Sequence, residues 1–264
     1  MPLNERPIAL ITGASSGIGK SYAEQIAAKG HDLVVVARRE DRLRVLAAEI
    51  RSAHGVDVEV LPVDLGTPEG VQAVCDRLAR DPAVDMLVNN AGYAARGKVA
   101  ELDLEALDAM LRVNVLALSR LSNAALQHMS RRGRGAIINI GSGTMFAQFS
   151  GNAGYGSSKI YVAAFTRHMQ LESQGSGVQV QLLIPGVIAT DFHEIAGNDL
   201  ANFPPERVMM APDLVRASLR ALEMNELVCI PSLPDIRDWE AYEAAEQKIW
   251  ANVSRDRIAS RYES

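Results

Sequence analysis

Tyr155 and Lys159 stand four residues apart in Tyr155-Gly156-Ser157-Ser158-Lys159. On a helix that spacing is about one turn, so both side chains leave the same face. A phenol titrates near pH ~10 on its own, and a neighbouring ammonium favours the phenolate and brings that proton into a working range. Such a tyrosine gives or takes a proton. Ser142 stands earlier, in Ile140-Gly141-Ser142-Gly143, where the apolar stretch 136–140 ends in small residues, and its hydroxyl is expected to reach the same point. A Tyr and a Lys four apart is also a common surface pair, so the chemistry depends on the elements that hold these side chains.

The chain has 264 residues, 48% of them apolar, which fits one α/β domain with a sizeable core. Its net charge is −5 with no run of Lys or Arg. That charge pattern recommends neither nucleic acid nor an anionic membrane as partner and leaves small molecules. The charged start and the short apolar run behind it predict no signal peptide and no membrane span. Two cysteines, Cys75 and Cys229, suggest no disulfide framework and a reducing cytoplasm. Apolar runs at 7–12, 32–37, 57–63, 85–89, 136–140, 178–184 and 227–230 read as strands. Between them, 20–29, 40–54, 68–80, 101–129, 153–173 and 212–224 read as helices. Strands that alternate with helices imply right-handed crossovers and a parallel sheet. Leu104, Leu107, Leu111, Val115, Leu118 and Leu121 recur at helical spacing along 101–129, a span of about eight turns.

The first strand runs into Gly13-Ala14-Ser15-Ser16-Gly17-Ile18-Gly19 and then a helix. In that context Gly13 allows the tight turn, Gly17 lets a pyrophosphate approach the backbone, and Gly19 lets helix and strand pack closely, with the phosphates at the helix N-terminus. The second strand ends where a dinucleotide fold meets the adenosine ribose, and Ala37 stands where an acid normally accepts from the 2′-hydroxyl. Arg38 and Arg39 follow, and a guanidinium fork grips a phosphate in two places, so NADP is preferred to NAD. The competing role for both arginines is to cap and solvate the next helix.

Taken together the motifs resemble the short-chain dehydrogenases/reductases over roughly residues 7–230. The resemblance rests on Thr12 to Gly19 as the cofactor loop, including Ser15, Ser16 and Ile18. It rests also on Asn89-Asn90-Ala91-Gly92 after the fourth strand, on Asn114, on Ser142 with Tyr155 and Lys159, and on Pro185-Gly186-Val187-Ile188-Ala189-Thr190. Departures are small: Gly141 and Gly143 flank the serine, and Gly154 precedes the tyrosine. The resemblance implies a single-domain, doubly wound Rossmann fold over 1–264. Its seven-stranded parallel sheet has helices on both faces, a core at 7–230 and a helical C-terminal tail at 231–264.

It also implies roles. Ser142 would hold a substrate oxygen, Tyr155 would protonate it as hydride reaches the carbonyl carbon, and Lys159 would lower the phenol's pKa and hold the nicotinamide ribose. Asn114 would interrupt its helix and anchor a water that relays protons to Lys159, against a plain role as a buried residue satisfied by backbone. Asp64, followed by Leu65, would accept from the adenine amino group, with helix N-capping near Thr67 as the rival role. Asn90, Ala91 and Gly92 would line the adenosine side, and Pro185, Gly186, Ile188 and Thr190 would lie behind the nicotinamide. Tyr93, Met145, Phe146, Phe149, Phe192, Ile195 and Phe203 suggest an apolar or aromatic ketone, aldehyde or alcohol. His193, Glu194 and Asp199 lack the spacing of a metal site, and no metal is expected. Reduction of a 3-oxoacyl carrier and a non-catalytic dinucleotide sensor stay open as alternatives. A homodimer or homotetramer is expected, with the tail helix at 238–253 closing either an interface or the substrate entrance.

Overall fold

The computed structural model describes residues 6–192 and 199–263. Six strands end in turn at the loops that carry the motifs: β1 (Ile8–Thr12), β2 (Asp32–Ala37), β3 (Val58–Pro62), β4 (Val84–Asn89), β5 (Gly135–Ile140) and β6 (Val178–Leu183). The inner strands are mostly buried, as expected of strands covered on both faces, whereas in the edge strand β3 only Val58 is buried. Two more, β7 (Val187–Ala189) and β8 (Val208–Met210), pair with each other, and β9 (Val228–Cys229) joins the main sheet. The sheet is parallel with order β3-β2-β1-β4-β5-β6-β9.

The helices α1 (Gly17–Ala28), α2 (Glu40–His54) and α3 (Pro68–Arg80) connect the first four strands. After β4 come α4 (Leu104–Leu111), a π-helical turn at Arg112–Ala117 and α5 (Leu118–Arg132), then α6 (Ala153–Glu172) and α7 (Ala211–Glu223). One face of the sheet packs Ala23, Ile26, Leu43, Ala47, Leu214 and Val215 from α1, α2 and α7. The other packs Val71, Val74, Leu78, Leu121, Ala125 and Met129 from α3 and α5. Each fully buried Leu or Ile stabilises the fold by roughly 1.5–3 kcal/mol, so the two layers supply most of the driving force.

Strand order reverses between β1 and β4. In open α/β sheets this point opens a crevice beyond the carboxyl ends of the strands. Every motif of the sequence reading sits at that edge. The helix expected over 101–129 is not one α-helix: a 3₁₀ turn at Val99–Glu101 precedes it, and the π turn divides α4 from α5. Spacing alone cannot show this, because a π turn holds an extra residue per turn while the apolar positions on either side keep their helical rhythm. The pair β7–β8 falls between the strand read at 178–184 and the helix read at 212–224, where the sequence reading placed no element.

Residues up to Pro231 form one compact unit and Ser232–Ser264 a second. In the latter, α8 (Arg237–Val253) stacks Trp239 on Tyr242 at 5.2 Å between ring centroids, and Ile249 and Trp250 are 68% and 72% exposed.

Candidate active site

Gly13 and Gly17 take left-handed φ values of +67° and +56°, which only glycine adopts without strain. A Cβ on Gly13 would lie 2.7 Å from Asn90 Nδ2, and one on Gly19 would lie 2.3 Å from the Gly13 carbonyl. Both are glycine because the loop, α1 and the end of β4 pack on one another. Thr12 Oγ1 completes the joint: it accepts from the backbone N–H groups of Asn90 and Ala91, each at 3.0 Å, while Asn90 Nδ2 donates to the Thr12 carbonyl at 2.9 Å. Gly17 faces Thr190, whose Cγ2 lies 3.0 Å from where a Cβ would stand. Ser16 precedes α1 without a side-chain cap, so the first N–H groups of that helix stay open to an anion. Ile18 packs on the core beneath.

The two arginines after β2 part company. Arg39 Nη2 donates to Ser15 Oγ at 2.8 Å and to Ser16 Oγ at 3.0 Å, so it ties the glycine loop to the start of α2. Arg38 is exposed at the mouth of the strand. Asp64 Oδ1 accepts from the Gly66 N–H at 2.8 Å, whereas Thr67 caps α3 by accepting from Gly70 N at 3.1 Å. Capping therefore belongs to Thr67, and Asp64 is exposed beside buried Leu65.

Ser142, Tyr155, Lys159 and Asn114 are all buried. Ser142 stands just after β5, at the start of a 3₁₀ turn, and its Oγ accepts from Thr144 N and Thr144 Oγ1 at 3.2 and 3.0 Å. Tyr155 and Lys159 share a face of α6, with the ammonium 5.8 Å from the centre of the phenol ring. Lys159 Nζ donates to the Ile140 carbonyl at 2.9 Å. Burial to 5% exposure lowers its pKa from 10.5 to about 8. Tyr155 departs from the expectation of a lowered phenol. Burial raises its pKa, and a hydrogen bond from Ser142 and the charge of Arg96 pull the other way without reversing the shift.

Asn114 lies in the π turn, where Oδ1 accepts from Tyr93 N at 3.1 Å and Nδ2 donates to the Tyr93 carbonyl at 2.9 Å and to Ser158 Oγ at 3.2 Å. Single-turn π segments recur at functional sites. Gly92 is small because Asn114 Oδ1 and Lys159 Nζ lie 3.0 and 3.7 Å from its missing Cβ. Gly154 lets Leu107 approach α6, since a Cβ there would stand 2.9 Å from Leu107 Cδ1. Behind the site, Gly143 N donates to the Pro185 carbonyl at 2.8 Å; Gly186 follows, and buried Ile188 sits in β7.

Phe192 packs on the phenol, with ring centroids 5.7 Å apart and planes tilted by 46°. Ala95, Met110 and Leu107 extend this apolar wall. Tyr93 borders it, yet its phenol feels the charges of Arg38 and Asp64, which sets it toward the adenosine side as well as the substrate side. Phe146 and Phe149 are exposed, and Met145 is half-buried. Asp199 accepts from Ala201 N at 2.8 Å as a local cap. His193, Glu194 and Ile195 lie outside the described residues. Among the described residues no three of His, Cys, Asp and Glu converge on a metal-sized site. Two features escaped the sequence reading. One is the pair Arg42–Asp191, at 3.6 Å, which links α2 to the residue after Thr190. The other is Asn152, the residue before α6.

A family model described as short chain dehydrogenase matches residues 7–200. Among curated relatives, the Homo sapiens "Inactive hydroxysteroid dehydrogenase-like protein 1" is 32% identical over 184 residues. That match covers 69% of this chain and 56% of the relative, so the chain spans little more than half of that protein. Among solved structures, a short-chain dehydrogenase from Sphingobium yanoikuyae in complex with NADPH is 40% identical, with a TM-score of 0.92 over 97% of this chain and 100% of that one. The bulky-bulky ketone specific alcohol dehydrogenase from Comamonas testosteroni is 34% identical, with a TM-score of 0.89 over 98% of this chain and 99% of that one.

Proposed function

This chain belongs to the short-chain dehydrogenase family, and from that premise we propose that it is an NADP-dependent oxidoreductase interconverting a ketone or aldehyde with an alcohol. The observation that carries the reading is the burial of Ser142, Tyr155 and Lys159 together at the carboxyl edge of the sheet, beside the glycine loop. The NADPH-bound neighbour supports the cofactor, and the ketone-specific neighbour supports a bulky, largely apolar substrate. The wall of Phe192, Met110, Ala95 and Leu107 fits that class.

NADPH, when bound, supplies the hydride. Gly13 to Gly19 and the open N-terminus of α1 would hold its pyrophosphate, Arg38 the 2′-phosphate, and Asp64, Leu65, Asn90, Ala91 and Gly92 the adenosine. Lys159 would hold the nicotinamide ribose, with Pro185, Gly186, Ile188 and Thr190 behind the ring. Ser142 Oγ donates to the substrate oxygen, and Tyr155 Oη gives its proton to that oxygen as negative charge grows there. A phenol held above its ordinary pKa stays protonated at neutral pH, the form a reductase needs. Asn114 anchors the turn from which a water would refill Lys159.

A panel of ketones, aldehydes and alcohols followed at the reduced-nicotinamide absorbance tests the reading; a protein that binds NADPH and turns over none of them is a sensor instead. The carrier alternative takes second place, since Lys98 and Arg216, two of the cations a carrier-binding patch would use, pair with Glu101 and Asp213.

The pH dependence follows from Lys159. Its ammonium is lost as pH rises through about 8, so the rate of ketone reduction should fall on an alkaline limb near that value. A profile flat to pH ~10, the range of an unperturbed lysine, would refute a role for the charged amine.

We place the whole chain in one dehydrogenase domain, with its core at 7–230 and a tail at 231–264. Leu116, Ile160, Tyr161 and Leu171 are exposed apolar side chains on the long helices and support a homodimer or homotetramer. Sedimentation velocity checks this, and a monomer at micromolar concentration contradicts it. Cys75 and Cys229 are free, in keeping with a cytoplasmic setting. No helix among the described residues is long and apolar enough to cross a membrane.

A further inference from the structure

Asn152 is the residue before α6, the position where an Asn side chain ordinarily accepts from the first N–H groups of the helix. Here it does not. Its backbone carbonyl accepts from Gly156 N at 2.8 Å, but the side chain makes no cap bond. The residue is 4% exposed, and Oδ1 is buried without a donor. The carboxamide lies instead along the face of α6 toward Gly156, with Nδ2 2.8 Å from where a Cβ on Gly156 would stand. Gly156 is thus a cradle for this amide. On a helix, positions 152, 155, 156 and 159 fall on one face, so the amide shares the face that presents Tyr155 and Lys159.

Among the described residues four other buried polar atoms lack partners. His31, Asp85 and Arg132 lie at the opposite, amino-terminal edge of the sheet, and Asn89 belongs to an internal amide ladder with Ser122 and Asn139. Only Asn152 stands one turn from the reacting phenol. A buried acceptor without a donor costs free energy until a ligand or a water supplies one.

We propose that Asn152, seated against Gly156, is a substrate-recognition residue whose side-chain oxygen accepts from a hydroxyl carried within a few carbons of the substrate carbonyl. The substrate class is then a hydroxyketone, or in reverse a diol, with an otherwise apolar body against Phe192 and Met110. This rests on the carbonyl–alcohol reading above. It is consistent with a mostly apolar pocket that fixes orientation through few polar groups.

The test compares kcat/KM for 3-hydroxypropiophenone and propiophenone, with NADPH, in wild type, Asn152→Leu, Asn152→Asp and Gly156→Ala. Wild type should favour the hydroxylated ketone about tenfold, the effect of pairing one buried polar group. Asn152→Leu should bring that ratio to about one, Asn152→Asp, which keeps an acceptor, should retain a preference, and Gly156→Ala, which crowds the amide out of its seat, should lower it. A ratio equal in wild type and Asn152→Leu overturns the proposal and leaves a bound water as the occupant. Should Asn152→Leu fail to fold, the Gly156→Ala ratio decides alone.

Calorimetric binding of both ketones to the NADP⁺-loaded protein, which holds no hydride to transfer, gives the same ratio without turnover. Selective binding without turnover would sink the oxidoreductase reading and keep the subsite. Turnover without hydroxyl preference would do the reverse.

Discussion

Tyr155→Phe should lower turnover by roughly 10²- to 10⁴-fold, the range contributed by a positioned general acid, while the affinity for NADPH stays nearly intact. The ring keeps its contact with Phe192 and its place in the apolar wall, so only the hydroxyl is removed. Lys159 keeps its bond to the Ile140 carbonyl, and the glycine loop is untouched. Ser142→Ala should cost less, on the order of 10²-fold, as expected for one transition-state donor. The graded series separates proton donation from oxygen positioning. Single-turnover hydride transfer in the two variants, beside NADPH titration by fluorescence, gives both quantities. A Phe variant that keeps most of its rate would show that the proton comes from elsewhere.

Arg38→Ala should weaken NADPH binding by about 2–4 kcal/mol, roughly 30- to 1000-fold, and leave NADH binding almost unchanged. The contrast with Arg39 sharpens the test. Arg39 is already engaged by Ser15 and Ser16, so its loss should loosen the glycine loop and weaken both cofactors alike. The ratio of NADPH to NADH affinity should therefore collapse in Arg38→Ala and hold in Arg39→Ala. A wild type that prefers NADH would refute the assignment of Arg38.

The strands and helices of the core were legible because buried parallel strands are continuously apolar and the helices between them carry amphipathic spacing. Gly13, Gly17 and Gly19 were legible for a related reason: the backbone they need excludes other residues. The strands β7 and β8 were not, since three residues are too few for any period. In sequence both Arg38 and Arg39 stood open to a phosphate role, Arg38 the more strongly, and to a helix-capping role. They separate only because Ser15 and Ser16 fold back to within reach of one of them. The direction of the Tyr155 shift was also out of reach. It depends on how deeply α6 sinks the phenol, and a four-residue spacing says nothing of depth. Asn152 gave only a weak signal, an Asn three residues before the tyrosine and a Gly just after it.

The π turn at Arg112–Ala117 constrains how the gene can change. It amounts to one residue inserted into a helix, and each residue of an α-helix advances about 100° around the axis. Deleting any one residue of the turn would restore regular hydrogen bonding locally. Because the wider turn absorbs its extra residue, Leu118, Leu121, Ala125 and Met129 would stay buried on the sheet, whereas a deletion within α5 itself would swing the residues after it by that angle toward solvent. The helix therefore tolerates the loss of a residue here better than one turn later, and what such a loss would cost is the seat of Asn114 against Tyr93 and Ser158.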